Sequence, residues 1–98
     1  MLPENRVPTH PGEILSEEFL RPLGVTSAAF AKHIGVSAPR VYEIIRAQRS
    51  VTPETAWLFA QALGTTPEFW LNLQSTYNLA RVQPKRKQIA RLQIRQAA

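Results

Sequence analysis

Between Ser37 and Arg46 the chain reads SAPRVYEIIR. On a helix advancing about 100° per residue, Val41, Ile44 and Ile45 form one apolar stripe. The opposite side then carries Pro39, Glu43 and Arg46, with Arg40 and Tyr42 flanking them. These side chains suit the edges of base pairs: Arg pairs with guanine, Glu accepts from cytosine N4, and Ala38 or Pro39 can lie against a thymine methyl. A solvated face on a small helical bundle is the competing reading, because short motifs match by chance.

The preceding residues decide whether such a face could be presented. Thr26 and Ser27 can cap a short helix in which Phe30, Ala31 and Ile34 share a face. Gly35 supplies a chain reversal that needs positive φ, and Ser37 caps the next helix. Ala31, four residues before the glycine, is small enough for two helix axes to cross closely. Two short helices, a small residue at the crossing and a glycine turn make a helix-turn-helix. In that motif the second helix enters the DNA major groove, with residues near its start on the bases.

The remaining segments read as helices around this pair. Residues 1–9 hold two prolines and no periodicity, so an extended N-terminal arm is expected. His10-Pro11-Gly12-Glu13 opens the first helix, with proline in the first turn where its missing N–H does no harm. Ile14, Leu15 and Phe19 are its buried stripe, Glu13, Glu17 and Glu18 a solvated face, and Pro22 with Gly24 its end. His10 and Glu13 gain no third partner for metal or acid–base work. Thr52-Pro53-Glu54 announces the fourth helix and Thr66-Pro67-Glu68 the fifth. Ala56, Phe59, Ala60 and Leu63 face inward on the fourth helix, which leaves Trp57 and Leu58 as a contact surface or a cover for the core edge. On the fifth helix, Phe69, Leu73, Tyr77 and Ala80 form the stripe, with Phe69 and Tyr77 as core, and Trp70 and Leu71 widen it. Leu71, Leu79 and Val82 suggest a second apolar patch, suited to a partner subunit. The expected fold is all-α, a five-helix bundle of the lambda-repressor-like helix-turn-helix type. It divides into the arm at 1–9, a DNA-binding domain at 10–83 and a basic tail at 84–98, helical or disordered.

Charge is unevenly placed. Of the net +5, residues 1–80 hold six Lys/Arg against seven acids, and residues 81–98 hold six Lys/Arg and no acid. A near-neutral body with a basic appendage follows. The arginines beside the reading helix, Arg40, Arg46 and Arg49, therefore say more about nucleic acid than the total does. There is no cysteine, hence no disulfide, thiol nucleophile or Cys-based metal site. No cofactor, catalytic residue or metal ligand is expected, and no nucleophile–base constellation suggests an enzyme. No apolar run nears the roughly 20 residues of a membrane span, and the N-terminus lacks a secretory layout. A cytoplasmic protein with no membrane partner is the expectation.

Four segments together, HPGEIL at 10–15, IGVSAPRVYEII at 34–45, VTPETA at 51–56 and GTTPEFWLNLQ at 64–74, resemble the HigA (VapI-like) antitoxins of the Xre/phage-repressor helix-turn-helix class. The resemblance runs from about residue 8 to residue 82, and EFWLNLQ is its most specific part. It implies a homodimer that represses its own operon on double-stranded operator DNA and neutralises a RelE-like (HigB-type) ribonuclease toxin. By the same resemblance Ser37, Ala38, Pro39 and Glu43 face the bases, while Arg40, Arg46 and Arg49 lie near phosphates. With Thr26, Ser27 and Tyr42 these are the expected DNA-binding residues. The chain departs from the family at Pro39, where arginine is frequent, and at Arg46-Ala47-Gln48, where Asn-Gly-Lys is usual. The alternative function is a stand-alone Xre-type repressor with no toxin partner.

Overall fold

The computed structural model describes residues 8–82 and 89–93. Five helices and no strand occur among them, as the periodicity predicts. Helix α1 spans residues 11–23 in three contiguous pieces, Pro11–Ile14, a wider-wound Leu15–Leu20 and Arg21–Leu23. It is followed by α2 (Ser27–Ile34), α3 (Ala38–Ile45), α4 (Pro53–Leu63) and α5 (Pro67–Arg81). Residues 1–7 of the arm, and 84–88 and 94–98 of the tail, lie outside the described residues. Ile89–Gln93 is exposed and neither helical nor extended into a sheet.

One device starts every helix: a side chain accepts a hydrogen bond from an otherwise orphaned backbone N–H of the first turn. Thr26 Oγ1 accepts from Ala29 N–H at 3.0 Å and Ser37 Oγ from Arg40 N–H at 3.3 Å. Thr52 and Thr55 cap each other reciprocally, and Thr66 Oγ1 accepts from Phe69 N–H at 3.1 Å. At α1 the cap is His10, whose Nδ1 accepts from Gly12 N–H at 2.8 Å. His10 is buried and edge-on to the Tyr77 ring at 4.7 Å, and the Arg81 guanidinium lies over that ring at 5.4 Å. Burial first, and the Arg81 guanidinium second, hold its pKa below the usual 6.5. The histidine is thus a structural cap that must stay neutral to accept.

Pro22 does not end α1, contrary to expectation. It sits inside the last turn, and the helix ends only at Gly24. A proline there has no N–H and crowds the carbonyl four residues back. The preceding turn is the wider one, with Arg21 N–H bonding to the Ser16 carbonyl five residues back.

The core lies where all five helices converge, and Trp70 is its largest fully buried side chain. Fully buried, its indole touches Phe19, Phe59 and Phe69 at ring separations of 5.4, 5.2 and 5.0 Å, and Nε1–H donates to Thr65 Oγ1 at 2.7 Å. This corrects the phase expected for α5. Phe69, expected as core, is 39% exposed, while Trp70 and Gln74 are the buried pair. Indole burial removes the larger apolar area and its one polar atom finds a partner, so turning the helix toward Trp70 wins. Gln74 follows because its Oε1 accepts from the buried Val51 N–H at 2.7 Å, tying α5 to the loop before α4. Tyr77 and Leu73 stay half-buried at the edge. Trp57 is 57% exposed.

Candidate nucleic-acid interface

Helices α2 and α3 pack against each other, and Ala31, the small residue expected at their crossing, is buried. Gly35 adopts φ +74°, with Val36 N–H bonding back to the Ala31 carbonyl at 2.9 Å. Val41 and Ile44 are fully buried, which rotates the opposite side of α3 into solvent. The other end of α3 is held by α1. A Cβ at Gly12 would overlap the Ile44 carbonyl, so only glycine permits this backbone contact. Sequence reasoning missed that role, because a glycine in the first turn of a helix reads as an indifferent residue.

The structure brings most of the expected site together. Ser37, Ala38, Pro39, Tyr42 and Arg46 are exposed on one side of α3, and Glu43 and Arg40 are partly exposed there. Thr26 is exposed at the start of α2, and Ser27 is half-buried across a shallow hollow from Tyr42. Arg49 lies beyond α3 and is exposed.

None of the three arginines is a free cation on this surface. Arg46 Nη1 donates to the Tyr42 hydroxyl at 2.8 Å, and its guanidinium lies over that ring at 5.5 Å. Arg40 Nη2 donates to Glu54 Oε1 at 3.2 Å, linking the first turn of α3 to that of α4, while its buried Nε has no partner among the described residues. Arg49 Nε donates to Glu43 Oε1 at 2.9 Å, and its Nη2 lies 2.8 Å from the same oxygen in an ion pair. All three contacts reach solvent and are individually weak. Their effect is geometric: each guanidinium is held in place while keeping N–H groups to spare, since Arg carries five donors. Glu54 was read only as a helix-start acid, and no local signal marks it as the partner of Arg40, 14 residues away.

The backbone at the end of α3 is unusual. Ala47 has φ +60°, the only non-glycine positive φ among the described residues. Its N–H bonds to the Ile44 carbonyl at 3.0 Å and Gln48 N–H to the Glu43 carbonyl at 2.8 Å, a Schellman closure with alanine at the glycine position.

The surface so built is a helix-turn-helix with an exposed, arginine-flanked second helix. No group of three or more potential metal ligands occurs among the described residues, and no helix there is long and apolar enough to cross a membrane. The helix-turn-helix family model matches residues 17–70. The chain is 40% identical over 87 residues to virulence-associated protein I of Dichelobacter nodosus, covering 88% of this chain and 81% of that one. It is 45% identical over 74 residues to antitoxin HigA-1 of Vibrio cholerae, covering 76% and 70%. The solved structure of Pseudomonas aeruginosa antitoxin HigA with the higBA promoter superposes with a TM-score of 0.74 at 44% identity, covering 76% of this chain and 80% of that one. The chain belongs to the helix-turn-helix family, and within it to the HigA (VapI-like) antitoxins.

Proposed function

We infer that this chain is an antitoxin that represses its own operon through α3 and neutralises a RelE-like (HigB-type) toxin. The observation that carries the DNA-binding part is the outward side of α3, where Ser37, Ala38, Pro39, Tyr42, Glu43 and Arg46 stand exposed opposite the buried Val41 and Ile44. A helix so placed enters the major groove, and its polar tips meet base edges. Thr26 and Ser27 at the start of α2, with Arg40 and Arg49 at the rim, border the same groove. A relative of known structure bound to its promoter, 44% identical, supports the docking mode.

A single such unit reads too few base pairs to bind tightly, so the proposal includes a homodimer with reading helices about 34–36 Å apart. Leu79 and Val82, 66% and 71% exposed on α5, are candidates for its contact. Leu71 packs against the core and contributes less. Toxin capture rests on the antitoxin relatives and on the acidic outer side of α1, where Glu13, Glu17 and Glu18 suit a basic partner.

The test is a titration of a duplex carrying the chain's own promoter, with co-expression of the adjoining gene product. The wild type should bind the duplex and retain the product through purification. A folded chain with Ser37, Glu43 and Arg46 all replaced by alanine should lose the promoter. Undiminished binding by that variant would remove α3 as the reader, and failure to retain the product would leave a repressor alone.

A further inference from the structure

Glu43 and Arg49 form a unit that neither residue's own position explains. Arg49 comes six residues after Glu43, past the end of α3, yet its guanidinium reaches back to one oxygen, Oε1, which accepts from Nε and lies 2.8 Å from Nη2. The reversal at Ala47 makes this reach possible, since its left-handed backbone folds residues 48–49 beside the last turn. The second oxygen, Oε2, accepts nothing among the described residues. The Glu43 side chain is 38% exposed, on the same side of α3 as Pro39 and Arg46.

An unpaired carboxylate is a poor guest in a major groove. Both phosphate strands lie within about one Debye length, roughly 8–10 Å, and repel it. Pairing with Arg49 cancels that charge and leaves a directional acceptor, which is what a base amino group requires. We propose that Arg49 is a positioning and specificity-determining residue: it neutralises Glu43 and holds its free oxygen toward a base-edge amino group, cytosine N4 first among them. Arg49 thereby acts through Glu43 and makes no phosphate contact of its own. The proposal rests on α3 being the reading helix, and it deepens that reading.

The two roles for Arg49 separate cleanly in experiment. Wild type, Glu43→Gln, Arg49→Ala, Arg49→Lys and the Glu43→Gln/Arg49→Ala double variant are titrated against the promoter duplex and against single-base-pair variants of it, over a range of salt. Far-UV circular dichroism checks that each is folded. Arg49→Ala should weaken promoter binding about tenfold, lose discrimination at one base pair and keep the wild-type salt slope. The double variant should regain most of that affinity, because the exposed carboxylate is gone, yet remain indifferent at the same pair. Arg49→Lys should also lose discrimination, since a point-charge ammonium on a flexible stem cannot reproduce the placement set by the planar guanidinium. The proposal is overturned by a phosphate-contact pattern: uniform loss on every duplex, a salt slope shallower by about 0.9, a near-normal lysine variant and no recovery in the double. A wild-type chain that binds no duplex would overturn the α3 reading itself and this proposal with it.

Discussion

The two ends of α3 are closed by the same backbone turn built from different residues. Before it, Gly35 takes φ +74°, with Gly35 N–H on the Lys32 carbonyl and Val36 N–H on the Ala31 carbonyl. After it, Ala47 takes φ +60°, with Ala47 N–H on the Ile44 carbonyl and Gln48 N–H on the Glu43 carbonyl. The first turn is unstrained and carries the usual apolar contact, Val36 near the buried Ala31. The second places a methyl group where the backbone disfavours it, and its flanking pair, Gln48 and Glu43, is polar. Local chemistry alone therefore stabilises the first turn. The second depends on what packs against it: Gly12 beneath the Ile44 carbonyl, and the Arg49 guanidinium on Glu43. The end of α3 nearer Arg46 and Arg49 is thus held by tertiary contacts.

This contrast can be broken most severely at Gly12. Gly12→Ala forces a methyl into the α3 backbone, which cannot yield as a side chain would, and should cost about 3 kcal/mol. Urea denaturation followed by circular dichroism measures it, and a cost below about 0.5 kcal/mol would mean that α1 does not clamp α3. Gly35→Ala adds the strain that glycine avoids and should cost about 1–2 kcal/mol in the same assay. The mirror experiment has the opposite sign. Ala47→Gly relieves the turn, partly offset by added freedom in the unfolded chain, and should stabilise by about 0.5 kcal/mol. Destabilisation by Ala47→Gly would show that the alanine methyl makes a contact worth more than the strain.

Acidification sharpens the comparison further, since α1 bears on the second turn and His10 caps α1. The folded pKa of His10 lies below 6.5, so the unfolded chain takes up its proton first as pH falls. The contribution is present above about pH 6.5 and is lost as pH drops through the folded value. His10→Asn, which keeps a capping acceptor without titrating, should flatten the slope of stability against pH below that point. An unchanged slope would remove His10 as its source. The smallest effect on stability should come from Arg46→Ala, within about 0.5 kcal/mol. That change should nonetheless weaken promoter binding, which separates the reading surface from the scaffold beneath it.

What the sequence by itself determined is whatever depends on a few neighbouring residues. Thr26, Ser37, Thr52 and Thr66 start helices because each can satisfy an N–H three residues on, and Gly24, Gly35 and Gly64 end them. The apolar period then sets which side of α3 is buried, and so which side could meet DNA. Tertiary structure decided the rest. Phe69 and Trp70 are adjacent aromatic residues on one helix, and periodicity cannot choose between them; the space beside Phe59 and the hydroxyl of Thr65 did. Gln74 reads as a surface residue until Val51 N–H needs an acceptor. Gly12 gains its meaning from a carbonyl 32 residues away. The arginines were legible as cations near a reading helix, but their partners Glu54, Tyr42 and Glu43 were not. Capping and helical period act over one or two turns and leave their mark in consecutive residues. Close packing, buried hydrogen bonds and ion pairs depend on distances between segments, and only the folded chain sets those distances.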